Sequence, residues 1–219
     1  MIQITVSPMP PLTRLFHSVS CLFLLLCATS CVHVQQELTL DSDNTGRFKL
    51  YLSLPLATYT TWIADPASPL APALAPWFDP AKGAARLTEA DGFHVTTYRL
   101  FARGDRQYLH IEGTLTNLDK ALTSGHLGNW TLSRDTDNVS HLQLRQSAAS
   151  LLHPSARSTP DLASLTQGVQ VKLVVAVPGH IVATTAPDAL GKSEAVWSFD
   201  STTDPHCFAK QPLIDLSYR

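Results

Sequence analysis

The sequence predicts an α+β domain: an antiparallel β-sheet built from hairpins, with one or two helical segments packed on it. Three observations carry this reading. Apolar and polar residues alternate over short runs, the runs come in adjacent pairs joined by turn residues, and two segments of helical character interrupt the pairs.

In the first pair, Val32, Val34, Leu38 and Leu40 alternate with polar residues, Asp41-Ser42-Asp43-Asn44-Thr45-Gly46 interrupts, and Phe48, Leu50, Leu52 and Leu54 resume the alternation. Pairing Leu40 with Phe48 and Leu38 with Leu50 gathers the apolar residues on one face. It also sets Asp41 opposite Arg47 and Thr39 opposite Lys49 on the other. Residues 57–75 hold Pro66, Pro69 and Pro72 among alanines, which predicts a broken helix or an extended surface excursion. Asp79 is placed to cap a helix with Pro80 at its first position. Ala81 to Ala90 are helix formers apart from Gly83 and Thr88, and Asp91-Gly92 terminates them.

A second hairpin is expected from Phe93–Arg103 and Gln107–Leu118 around Gly104-Asp105-Arg106, with Val95, Phe101, Leu109, Ile111 and Leu115 for the core. A third joins Asn129–Arg134 to Ser140–Arg145 across Asp135-Thr136-Asp137-Asn138, with Trp130 facing Leu144 and Leu132 facing Leu142. Ala148–Gln167, with Pro154 and Pro160, predicts one or two short helices. Val169–Val177 begins as an alternation and becomes apolar on both faces, so it belongs inside the sheet, beside the strand that carries Trp197. Pro178-Gly179 ends it, Ile181–Thr185 is extended, and Glu194–Asp200 is the last clear strand. Residues 202–219 are indistinct, with a short strand at Leu213–Leu216.

The N-terminus gives an address. Met1–Arg14 has one basic residue and no acid, and Leu15–Ala28 is mostly apolar, as in an export signal and too short for a stable bilayer span. Ala28-Thr29-Ser30-Cys31 fits a lipobox, and Ala28-x-Ser30 also fits ordinary signal-peptidase cleavage; both cut before Cys31. The expected organisation is a lipoprotein signal peptide at 1–30 and one extracytoplasmic domain at 31–219. Attachment to the membrane is then through acyl chains on Cys31, with outer-membrane delivery expected in a diderm envelope because Val32 is no acidic retention signal. Acylation of Cys31 would leave Cys207 as a lone, inert thiol; plain cleavage would leave the two able to pair. A formal net charge of −2 points to no nucleic-acid partner.

Several segments resemble one family. They are Cys31-Val32-His33-Val34 at the entry to the first hairpin, Gly113-Thr114-Leu115-Thr116-Asn117-Leu118, the strand Val169–Val177 with Pro178-Gly179-His180-Ile181-Val182, and Trp197-Ser198-Phe199. Their order resembles the LppM-type lipoproteins. That resemblance implies an extracytoplasmic α+β domain behind a lipidated cysteine and an envelope role involving lipid or glycolipid contact. It brings no catalytic residues. Many members carry a C-terminal membrane helix after the Trp strand, which this sequence lacks, so the expected anchor is lipid alone.

Chemistry-bearing motifs are sparse. Asp41, Asp43 and Gly46 match the first, third and sixth places of a calcium loop, but Leu52 stands where a bidentate Glu is needed, and the run reads as turn chemistry; so do Asp135 and Asp137. Of nine histidines, none falls in HxH, HxxH or HExxH spacing, and Ser124-Gly125-His126-Leu127-Gly128 lacks the GxSxG order. Pro178-Gly179 reads as a strand terminator. No metal site, cofactor or catalytic residue is assigned. The expected function is a non-enzymatic envelope lipoprotein that binds a lipid or glycolipid, with a sheet-lined apolar groove suggested by the first hairpin's continuous apolar face; the other reading of that face, domain core, is favoured for any one of its residues. A structural lipoprotein binding an envelope protein is the alternative, and an extracytoplasmic hydrolase the third reading.

Overall fold

Hairpin pairing builds most of the structure. The computed structural model describes residues 32–68, 71–128, 130–144, 167–207 and 214–219, all within the compact unit Cys31–Arg219. Strand β1 (Val32–Leu40) pairs antiparallel with β2 (Gly46–Pro55), and β3 (Phe93–Arg103) with β4 (Arg106–Leu115). Next, β5 (Trp130–Arg134) pairs with β6 (Ser140–Leu144), placing Trp130 opposite Leu144 and Leu132 opposite Leu142 as expected. Strands β7 (Val169–Ala176), β8 (Ile181–Thr184), β9 (Glu194–Asp200) and β10 (Ile214–Tyr218) complete the set. Residues 1–31 and 145–166, with the expected leader, Cys31 and most of the Ala148–Gln167 helical segment, lie outside the described residues.

The strands form two sheets, which corrects the single antiparallel sheet expected. One has the order β3-β4-β2-β1-β7-β9 and the other β5-β6-β10-β8. The larger sheet is mixed, because β1 and β7 run parallel from Val32↔Val169 to Thr39↔Ala176. Alternation reports which face a residue takes but not strand direction, and no turn joins segments so far apart in sequence. The first hairpin also departs from its expected register. Leu38 opposes Phe48 and Leu40 opposes Gly46, a shift of two residues that leaves every side chain on its expected face. The Asp41–Thr45 turn sets this register: Asp41 N donates to Thr45 O, and Asp43 Oδ1 accepts from Thr45 Oγ1 at 2.5 Å.

The core lies between the sheets and under the helical segments. Leu38, Phe48, Ile111, Val175 and Trp197 of the larger sheet share one buried cluster with Trp130, Leu142 and Leu216 of the smaller. Of the two readings of residues 57–75, broken helix or surface excursion, the described residues follow the first: α1 (Leu56–Tyr59), a π-helical turn (Thr60–Ala64), α2 (Ala71–Leu74) and a 3-10 turn (Ala75–Phe78). They cover core rather than run over the surface, since Ile63 and Phe78 are buried in the cluster. Helix α3 (Pro80–Arg86) starts as predicted, with Asp79 Oδ1 accepting from Ala81 N and Lys82 N. It stops four residues short of Ala90, where Thr88 caps a separate turn at Glu89–Asp91.

Gly83 in α3 has a packing reason. A Cβ there would strike the Tyr98 ring, whose hydroxyl passes beneath the helix to donate to Trp77 O. Burial foremost, with the nearby Asp79 charge, pushes that phenol up to about 12. Helix α4 (Leu118–Thr123) falls where the sequence reading ended a strand. Its cap is Asn117, which accepts from Lys120 N, and it buries Leu118, Ala121 and Leu122.

A bulge in β3 corrects one core assignment. Val95 opposes Gly113 and Thr97 opposes Glu112, so Thr96 is an extra residue that reverses the alternation beyond it. Tyr98 and Leu100 then pack against the core, and Phe101, expected inside, is 45% exposed on the outer face. Gly113 opposite the bulge leaves room for the Phe48 ring, which meets Phe93 edge-on at 5.4 Å.

Val175 is fully buried between Leu38 of β1 and Ala195 of β9. Val175→Asp should lower unfolding free energy by several kcal/mol, since a carboxylate there has no partner to offset desolvation. Chemical denaturation checks this; a wild-type midpoint and slope would mean that β7 is not an interior strand.

Candidate functional site

Strand alternation that buries one face of the larger sheet leaves the other to carry the side chains that can meet a ligand. Odd-numbered residues of β1 and β2 and even-numbered ones of β4, β7 and β9 point away from the core. Register aligns them in rows across the sheet. Asp200, Gln170, His33, Ser53, Tyr108 and Phe101 form one row, and Ser198, Lys172, Gln35, Tyr51 and His110 the next.

These two rows line a trough of about 670 Å³. Five strands each contribute a consecutive triplet to its lining, such as His33-Val34-Gln35 and Tyr108-Leu109-His110, and Glu37 of β1 and Phe101 of β3 complete it. In each triplet, the middle residue points to the core, so the trough has a backbone floor and side-chain walls. Of the two readings of the first hairpin's apolar face, the structure has the favoured one, domain core, so that face offers no groove.

Aromatic rings form one half of the trough. Tyr51 and His110 stack at 4.2 Å, and Phe101 and Tyr108 at 5.0 Å. Polar pairs form the rest: Gln170 Nε2 donates to Asp200 Oδ2 at 3.0 Å, Gln35 Nε2 to Glu37 Oε1 at 2.6 Å, and Arg106 Nε to Ser53 Oγ at 2.8 Å.

Glu112 contacts one of the two ring pairs. Its Oε1 accepts from the Tyr51 hydroxyl at 3.2 Å and lies 2.8 Å from His110 Nε2 and 3.7 Å from Lys49 Nζ. The His110 contact is close but poorly aligned, which leaves this ring nitrogen buried without a hydrogen bond among the described residues. His110, then Tyr51 and Lys49, hold the Glu112 carboxyl below its ordinary range against the opposing effect of burial. Burial foremost, and Arg106 next, hold His33 below its ordinary value despite Asp200. The wall is thus supplied with fixed donors, fixed acceptors and ring surfaces. Such a surface suits a ligand with hydroxyl groups and apolar faces.

The motifs noted in the sequence fall elsewhere. Asp41, Asn138 and Pro178-Gly179 line a second concavity of about 470 Å³ with Arg134 and Tyr218. Asp43 and Asp135 organise turns, Asp135 Oδ1 accepting from Asp137 N at 2.8 Å and Val139 N at 2.9 Å. Cys207 is half-buried after β9; whether Cys31 pairs with it lies outside the described residues.

One grouping was invisible in the sequence. His141 Nδ1 lies 2.9 Å from Ser217 Oγ, and its Nε2 lies 3.2 Å from Asp135 Oδ2. An acid, an imidazole and a hydroxyl are thus in contact, but the ring nitrogens are reversed from a serine hydrolase, where Nε2 faces the serine. Ser217 is 8% exposed on β10 and lines neither concavity. The arrangement ties β6 to β10 across the smaller sheet. Its members, 76 residues apart at the extremes of the His141–Ser217 bond, meet only through that pairing.

No helix among the described residues is long and apolar enough to cross a membrane. No protein-family model matches this sequence, and neither does any curated protein. A similar solved structure is the NMR structure of the folded domain of Mycobacterium tuberculosis LppM, with a TM-score of 0.50 and 11% identity. The similarity covers 86% of this chain and 89% of that one, and at this identity it is a likeness of fold.

Two outcomes are expected. Because Glu112 sits below its ordinary value of 4.5, its contacts stabilise the fold fully above about pH 4.5 and fade as pH falls through the lower folded value. Glu112→Gln should therefore cost up to about 1 kcal/mol near neutrality, with the difference from wild type shrinking in acid; paired denaturation curves across pH 3–7, roughly the carboxylate-to-neutral span, read this. A fluorophosphonate probe should leave Ser217 unmodified. Covalent mass on that serine would make it a nucleophile.

Proposed function

We propose that this chain is an envelope lipoprotein held at the membrane by acyl chains on Cys31, and that its domain is a non-enzymatic binding module. The trough takes the polar headgroup of a lipid or glycolipid. The observation that carries this reading is the trough itself: a concave outer sheet face with two stacked ring pairs beside a series of paired amides, carboxylates and cations.

Recognition would work by placement rather than by chemistry on the ligand. Ring surfaces of Tyr51, Tyr108 and Phe101 accept the apolar face of a sugar or glycerol unit, while Lys172, Gln170 and Gln35 supply donors along the opposite wall. Glu112 accepts from Tyr51, which stacks on His110, so the Tyr51 ring loses little side-chain freedom on binding. The lipobox at Ala28-Thr29-Ser30-Cys31 and the sequence resemblance to LppM-type lipoproteins support the address. An extracytoplasmic hydrolase is the second reading, favoured by the Asp135–His141–Ser217 contacts alone.

Native mass spectrometry of the full chain extracted from its own membrane tests both parts. Acyl mass on Cys31 and a co-extracted glycolipid are expected, and Tyr51→Ala with Lys172→Ala should lose the ligand while keeping the acyl mass. Cys31→Ser should release the folded domain from membranes. A wild-type chain that carries acyl groups and no ligand would remove the binding function, and a Cys31→Ser chain still retained in high salt would remove the anchor.

A further inference from the structure

The topology brings three features to one end of the larger sheet. The chain enters β1 at Val32, one residue after Cys31, and Val32 lies at the end where β7 begins. There β2 ends at Pro55, and the β3–β4 hairpin turns at Gly104–Asp105, between Arg103 and Arg106. From β1 to β3 is three strand spacings, about 14 Å, so the first residue of β1 and the hairpin tip lie on one rim.

That rim is apolar and basic. Among the described residues four large apolar side chains are exposed, and two of them, Leu56 and Phe101, are here, 46% and 45% exposed. The Leu56 N–H donates to Asp105 O, which holds the start of α1 against the hairpin turn. Arg99 and Arg103 are exposed on the same edge strand as Phe101, and Arg106 follows across the turn. Asp105 in the turn, Asp200 at the end of β9 and Asp204 just beyond it are the nearby acids, and Asp200 already accepts from Gln170 and Thr202. The opposite end of the sheet carries more acids than bases: Asp41 and Asp43 in the β1–β2 turn, Glu89 and Asp91 just before β3 and Glu194 at the start of β9, against Arg47 of β2. The formal net charge of −2 conceals this separation.

We propose that the tip of the β3–β4 hairpin, with Leu56 beside it, is a membrane-contact surface that rests Phe101, Arg99 and Arg103 in the headgroup layer of an anionic bilayer. The inference rests on the anchor reading for its geometry, since Cys31 would deliver the acyl chains at this rim. Exposed apolar side chains enter the interface, and the arginines meet lipid phosphates. The domain then stands with its acidic end away from the surface. The trough, whose first row includes His33 and Phe101, opens beside the headgroups from which a ligand would come. Two separate attachments, acyl and electrostatic, fix an orientation that a flexible acyl tether alone would not.

The test is hydrogen–deuterium exchange of the full chain on vesicles of phosphatidylcholine alone and of phosphatidylcholine with phosphatidylglycerol, with the intact mass read on the same samples. Residues 99–106 should exchange at least about five-fold more slowly on the anionic vesicles, the gain expected from one basic residue at such a surface. The Asp135–Val139 turn should not change. Arg99→Gln with Arg103→Gln, neither of which lines the trough, should abolish the difference, as should high salt. Equal exchange on both vesicles with acyl mass on Cys31 would overturn the membrane contact and leave the anchor standing. Slowed exchange without acyl mass would uphold the contact and overturn the anchor. Neither signal would overturn both.

Discussion

The parallel pairing of β1 with β7 is the constraint on which the rest depends. Strand β1 sits inside the larger sheet, with β2 on one side and β7 on the other. It therefore joins the N-terminal hairpins to strands from the last third of the chain. Its alternation is satisfied twice, since Leu38 packs in the core between Phe48 and Val175 while His33 and Gln35 stand in the trough. A slip of one residue against either neighbour would exchange these two sets and destroy core and trough together. Closure of such a distant pair carries a loop-entropy cost that burial of Leu38, Val175 and Trp197 must exceed.

The bulge at Thr96 shows how one inserted residue redirects a surface. Without it Phe101 would lie on the core side with Val95; with it, Leu100 takes that side and Phe101 stacks on Tyr108 at the outer rim. The same reversal moves Tyr98 under α3, where Gly83 admits it and Trp77 O accepts its hydroxyl. A local change in strand geometry thus links the seating of the helical cover on one face to the aromatic wall on the other. The edge position of β3 makes this tolerable, because a bulge there disturbs a ladder on one side only.

Polar groups divide between the sheets according to what packs over them. On the larger sheet they line a concavity, where Glu112 accepts from the Tyr51 hydroxyl and Tyr51 stacks on His110. On the smaller sheet the contacts among Asp135, His141 and Ser217 satisfy one another around a buried hydroxyl. Access separates the two groupings: one lines an open concavity, while the other surrounds a hydroxyl that lines neither concavity.

The sequence by itself determined most of the elements and the face of nearly every strand residue, because period-2 alternation, the Asp79-Pro80 cap and the Asp-Gly and Asp-Asn turns are local signals. Trp130 opposite Leu144 was legible for that reason, and so was β9 beside β7. The candidate trough was not, since its walls come from six strands whose neighbours are set largely by long-range pairing, and Phe101 of β3 reaches it only through a bulge that alternation does not reveal. Strand direction, the division into two sheets and the gathering of arginines at the end where β1 begins were decided only by the tertiary structure. Propensity and periodicity act over a few residues, whereas order and direction follow from which distant faces bury the most apolar surface together.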